Sequence, residues 1–86
     1  MQDLNNGSYI VASSSMSPVL KPGDRIFIEP IGNAEIKRGM VVVFRSPDGK
    51  KIVHRVIKRS RYLVQTAGDS NRRLDDPVHI YDILGK

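Results

Sequence analysis

The spacing of glycine and proline constrains this chain more than any other feature, because it leaves no room for a long helix. Seven Gly and five Pro punctuate the 86 residues at short intervals. No window between them carries an apolar period of 3.6 residues. What remains are short stretches rich in Val and Ile, at residues 9–12, 25–29, 40–45, 51–59, 62–66 and 80–84. β-Branched residues suit a pleated surface, so each stretch is expected to be a strand. Residues 40–45 are apolar on both faces and belong inside a sheet. In 25–29, Ile26 and Ile28 point one way and Phe27 the other. Ser46-Pro47-Asp48-Gly49 reads as a hairpin turn, Ser60-Arg61 as a second turn, and residues 68–77 as a polar loop. The fold class is all-β and mainly antiparallel. A single domain is expected over 9–86, with a flexible N-terminal segment over 1–8.

Composition removes several kinds of chemistry. There is no cysteine, which excludes disulfides, thiolate metal sites and thiol catalysis. Three Tyr and two Phe are the only aromatics, so the core must be built from Val, Ile and Leu. The longest apolar run, residues 40–44, is far short of the ~20 residues that a spanning helix needs. The first seven residues carry no apolar stretch of signal-peptide type.

Formal net charge is +5. Much of the excess lies in Lys50, Lys51, Arg55, Lys58, Arg59 and Arg61, with Arg72 and Arg73 further on. Such a patch can attract nucleic acid or anionic lipid. A charged, solvated strand face that resists edge-to-edge pairing explains it more simply. Base stacking needs aromatics among the cations, and only Tyr62 lies near them.

Three pieces of sequence carry chemistry if the fold brings them together. They are Ser13-Ser14-Ser15-Met16-Ser17-Pro18, Ile52-Val53-His54-Arg55-Val56, and Gly68-Asp69-Ser70-Asn71 with Asp75-Asp76 behind it. Singly they read as a turn, a strand histidine and a loop. If Ser60-Arg61 is a two-residue hairpin loop, His54 faces Ala67 and Asp69 becomes its diagonal neighbour on the same sheet face. Diagonal neighbours lie roughly 7–8 Å apart at the backbone, within reach of a His and an Asp side chain. Lys58 and Lys50 each lie four residues from His54, roughly 13 Å along a strand. One base position cannot be served by all three, and His54 is the central one. A metal site from His54, His79 and nearby aspartates lacks ligand spacing, so neither metal nor cofactor is expected.

Ser15-Met16-Ser17-Pro18 with Pro22-Gly23-Asp24 resembles the serine box of the signal peptidase I and LexA-like peptidase clan. The stretch from Arg38-Gly39-Met40 to Phe44 resembles that clan's next block. Ile52-Val53-His54-Arg55-Val56 resembles the third block, where the archaeal and endoplasmic-reticulum type carries histidine and the bacterial type lysine. Thr66-Ala67-Gly68-Asp69-Ser70-Asn71, then Asp75 and Ile83-Leu84-Gly85-Lys86, resembles the closing block of the histidine type. Ser17 stands where most members have Glu or Tyr, and Ala67 where many have Lys.

The resemblance implies a small, partly open β-barrel or coiled sheet with little helix. It implies Ser15 as nucleophile, His54 as general base, and an oxyanion hole from the Ser15 N–H and the Ser13 hydroxyl. The register argument favours Asp69 as the partner of His54, and the family pattern gives Asp75 an equal claim. The implied activity is serine endopeptidase cleavage of extended signal or leader peptides after small residues. The peptide would add as a strand beside the segment leading to Ser15, with Tyr9, Val11 and Met16 contacting it. The implied location is a membrane surface, with the catalytic domain outside the cytoplasm and any anchor outside this chain or on a partner; a soluble form is the alternative. Two other readings stay open: an inactive relative serving as an interaction domain, and a basic β-module binding peptide or nucleic acid.

Overall fold

A computed structural model describes residues 2–3 and 8–86, with side chains described for 8–86. Among the described residues, eight strands form two antiparallel sheets. The smaller sheet has the order β1-β2-β3, from Gln2–Asp3, Ser8–Ile10 and Arg25–Phe27. The larger has the order β7-β6-β5-β4-β8. Its strands are β4 (Val41–Arg45), β5 (Lys51–Arg59), β6 (Leu63–Ala67), β7 (Val78–His79) and β8 (Ile83–Gly85). The only helical pieces among the described residues are two 3₁₀ turns, Asn33–Glu35 and Ile80–Asp82. The sheets do not close into a barrel.

β4 lies between β5 and β8, as its two apolar faces require. One face puts Val42 and Phe44 into a cluster with Ile36, Val56, Val64, Val78 and Ile80. The other puts Val43 beside Val53 and Tyr9, with Ile26 and Ile28 of the small sheet packed against them. The alternation of Ile26 and Ile28 against the 72% exposed Phe27 thus seats the small sheet on the large one. Beyond the strands, Glu29 and Lys86 exchange two backbone hydrogen bonds of 3.0 Å and join the sheets. Gly85 is required at this junction, because a Cβ there would collide with Ile28 Cγ2 and the Glu29 carbonyl.

Three expectations need correction. The second hairpin turns at Arg61–Tyr62 rather than Ser60-Arg61, since the Ser60 N–H donates to the Leu63 carbonyl at 2.9 Å. The Arg61 guanidinium lies 5.3 Å from the Tyr62 ring centroid, a cation–π contact across that tip. A bulge at Ile57 then shifts the register again, so Val56 faces Thr66 while Lys58 faces Gln65. Arg55, not His54, is therefore opposite Ala67.

The last stretch is not one strand. Residues 80–82 form a 3₁₀ turn capped by His79, whose Nδ1 accepts from the Tyr81 N–H at 3.2 Å, and the strand starts only at Ile83. Val78–His79 forms an additional edge strand beside β6. Of the segment 1–8 expected to be flexible, Met1 and residues 4–7 lie outside the described residues. Gln2–Asp3 pairs with β2, which begins at Ser8.

Candidate active site

The loop after β2 presents Ser15 by burying its neighbour. Met16 is 1% exposed, and its sulfur accepts from the Asp69 N–H at 3.3 Å. Backbone bonds from Ser17 N to Ser14 O and from Leu20 N to Met16 O, each 2.9 Å, curl the chain around this anchor. Ser15 is left half-buried at the mouth of a cleft. The cleft has a volume of about 740 Å³, with Val11, Met16, Leu20 and Ile52 lining its apolar part and Ser15 and His54 its polar end.

His54 enters from the middle of β5, on the face that carries Val56. Only 7% of it is exposed. The Phe44 ring packs edge-on against it, with centroids 6.2 Å apart and planes at 64°. A polar ring so buried needs partners on both nitrogens. Nε2 lies 3.0 Å from Ser15 Oγ, and Nδ1 lies 2.5 Å from Asp75 Oδ2.

Asp75 is fixed in turn by β6. Its N–H donates to the Thr66 carbonyl at 2.8 Å, and its own carbonyl accepts from Gln65 Nε2 at 3.0 Å. The fully buried Thr66 donates its hydroxyl to Asp75 Oδ2 at 2.7 Å. A carboxylate oxygen only accepts, so Nδ1 carries the ring proton and Nε2 is left to accept from the Ser15 hydroxyl. The line Ser15–His54–Asp75 is the arrangement of nucleophile, base and orienting group used in acyl transfer.

Asp69 lies elsewhere. Both its carboxylate oxygens accept from the Arg55 guanidinium, at 2.8 and 2.9 Å, and Arg55 also donates to the Gly39 carbonyl. The diagonal-neighbour rule holds here with a different residue, because Arg55 is the one opposite Ala67. Hydrogen bonds from Arg55 hold the Asp69 carboxyl below its ordinary pKa. A depressed carboxyl pKa contributes stability that is present above about pH 4, the ordinary carboxylate value, and is lost as pH falls through the folded value. Asp69→Asn is expected to cost about 1 kcal/mol at neutral pH and progressively less as pH falls below about 4, read by urea denaturation across that range.

Gly68 allows the polar groups to converge. A Cβ at this position would stand 2.7 Å from the Ser15 carbonyl, 2.9 Å from Asn71 Nδ2 and 3.0 Å from His54 Nε2. Any side chain here would press on Ser15 and His54 together.

Other expected residues are placed as follows. Ser13 Oγ is 3.1 Å from Ser15 Oγ. Among the described residues no acceptor takes the Ser15 backbone N–H. Val11 and Met16 line the cleft. Tyr9 does not: it is 2% exposed in the core, with Lys51 Nζ 5.1 Å from its ring centroid. No group of three metal-ligating side chains gathers among the described residues. Thr66, Gly68, Ser70 and Arg55 stand within the sequence motifs, but their identity alone assigned them no role at this site. Strand alternation would have placed Thr66 on the His54 face had the bulge at Ile57 been foreseen.

A family model described as signal peptidase, peptidase S26, matches residues 5–80. No curated protein and no solved structure matches the chain significantly.

Proposed function

The chain belongs to the signal peptidase family, peptidase S26, and from that premise we propose a serine endopeptidase of the histidine type, acting through Ser15, His54 and Asp75. Membership makes it a signal-peptidase-like peptidase; the catalytic assignment rests on one observation. Ser15 Oγ, His54 Nε2, His54 Nδ1 and Asp75 Oδ2 form a continuous hydrogen-bonded line of 3.0 and 2.5 Å.

His54 Nε2 takes the Ser15 proton while Oγ bonds to the scissile carbonyl carbon, and the carbonyl electrons move onto oxygen. The Ser15 N–H and the Ser13 hydroxyl donate to that oxyanion, each worth roughly 3–4 kcal/mol in the transition state. The imidazolium then gives its proton to the leaving amine. Water, deprotonated by the same nitrogen, releases the acyl group and restores Ser15. Asp75 stays ionised and stabilises the imidazolium at each stage.

The substrate is an extended signal or leader peptide with small residues, typically Ala, one and three positions before the cut. Val11 and Met16 contact it in the cleft. Signal peptidases are membrane-associated as a family, and this domain works at a membrane surface on the non-cytoplasmic side. No helix among the described residues is long and apolar enough to cross a membrane. A nucleic-acid role for the basic stretch has less support. Arg55 is engaged by Asp69, and Arg59 donates to the carbonyls of Asn33 and Ile36.

The two aspartates test the assignment. In Asp75→Asn the new amide can donate to Nδ1 and drive the ring proton to Nε2, where it blocks acceptance from Ser15. Cleavage of an Ala-X-Ala peptide is expected to fall about 10⁴-fold. Asp69→Asn is expected to stay within about threefold at neutral pH. Equal losses in the two variants would remove Asp75 from its special place.

A further inference from the structure

Ser70 does not line the cleft, yet three of its hydrogen bonds end on the nucleophile loop. Its N–H donates to the Ser15 carbonyl at 2.8 Å. Its hydroxyl is shared between the Ser17 carbonyl at 2.7 Å and the Ser14 carbonyl at 3.1 Å. One residue of the 68–71 loop thereby holds carbonyls on both sides of Ser15 across 53 to 56 positions of sequence.

The consequence follows from peptide geometry. A trans peptide is planar, so its C=O and N–H point in opposite directions. The Ser14 carbonyl and the Ser15 N–H belong to one such plane. Drawing the carbonyl toward Ser70, with the Ser17 N–H bonded to it from the loop at 2.9 Å, turns the Ser15 N–H the other way. Donors on a carbonyl also polarise the peptide and strengthen its N–H as a donor. The next plane is fixed by the bond from Ser70 N–H to the Ser15 carbonyl, so the Cα bearing the nucleophile sits between two clamped peptides.

We propose that Ser70 is a positioning residue of this peptidase, setting the direction of the oxyanion-binding N–H and the placement of Ser15 Oγ through the backbone of residues 14–17. The inference rests on the serine peptidase reading for its kinetic arm alone.

Ser70→Ala, Ser70→Thr and the unmodified chain would be compared by peptide cleavage, thermal midpoint and amide hydrogen exchange. Misplacement of reacting groups by about 1 Å costs about 10²-fold. The expected result for Ser70→Ala is a kcat about 10²-fold lower, with KM within about twofold and an unchanged pH profile, because His54 and Asp75 are untouched. The hydrogen-bonded Ser17 amide is expected to exchange about tenfold faster while those of β4 and β5 do not change. Ser70→Thr, which keeps the hydroxyl, is expected to recover both properties. Unchanged exchange at the Ser17 amide overturns the proposal whether or not the chain cleaves peptides, and unchanged kcat in an active chain overturns it equally. A uniform loss of thermal midpoint and exchange protection, unrescued by Thr, would assign Ser70 to the fold. An inactive unmodified chain with the local exchange effect intact would count against the peptidase mechanism and leave the clamp standing.

Discussion

Ser15→Ala is expected to lower kcat for peptide cleavage about 10⁶-fold while leaving KM and the thermal midpoint nearly unchanged. The loss is large because in the proposed mechanism the hydroxyl is the atom that bonds to the substrate, and no neighbour can replace it. Ser13 Oγ is only 3.1 Å away, but it bonds to Ser15, and it is Ser15 that bonds to His54 Nε2. Folding should not suffer, since Ser15 is only half-buried and the burial that holds the loop belongs to Met16. A residual rate of about 10³ over water is expected from the oxyanion donors and binding alone.

His54→Gln is expected to cost nearly as much, about 10⁶-fold in kcat, and it tests how the parts depend on one another. Without Nε2 to accept its proton, the Ser15 hydroxyl is a weak nucleophile at neutral pH. Gln keeps polar atoms where a buried ring had two partners, so less stability is lost than with an apolar residue. Some is still lost, because the ring's contact with Phe44 disappears; a drop of a few degrees in thermal midpoint is expected. The double variant Ser15→Ala/His54→Gln is the sharper measurement. Groups acting as one unit do not add, so it should be no slower than either single variant. A further thousandfold fall in the double variant would mean that the two side chains act separately.

How far the sequence carried can be seen at particular residues. The two-faced apolar pattern of residues 40–45 identified a strand lying inside a sheet, observed as Val41–Arg45. The turn at Ser46–Gly49 was legible because Pro, Asp and Gly each have a backbone reason to be there, and Gly49 indeed has a φ of +83°. The all-β architecture followed from the same punctuation, and its openness from the family resemblance. What sequence could not carry was register. Nothing in Arg59-Ser60-Arg61-Tyr62 says which pair forms the tip, and a bulge such as that at Ile57 depends on how the strand must twist. The two shifts move Asp69 from the neighbourhood of His54 to that of Arg55. They place Thr66 on the His54 face, where it helps hold Asp75.

The short β7 and the capped turn at Ile80–Asp82 were hidden for a related reason. Val78 and His79 are too few to show a period, and His79 acts as a cap only because the chain bends there. The role of Ser70 was hidden because its partners are backbone carbonyls more than fifty residues away. Backbone acceptors leave no mark on the identity of the residues that own them.

The central claim is that the oxygen on residue 15 becomes covalently bonded to substrate because the ring on residue 54 takes its proton. The most direct measurement is the intact mass, then the peptide map, of the chain acid-quenched while turning over an alanyl ester. Acylation leaves the acyl group on the attacking atom and releases the alcohol, so the modified residue is recorded. The result expected is one acyl group, on Ser15 alone, absent from Ser15→Ala and formed several orders of magnitude more slowly by His54→Gln. An acyl group on another residue, or full acylation of Ser15 at an undiminished rate without His54, would contradict it.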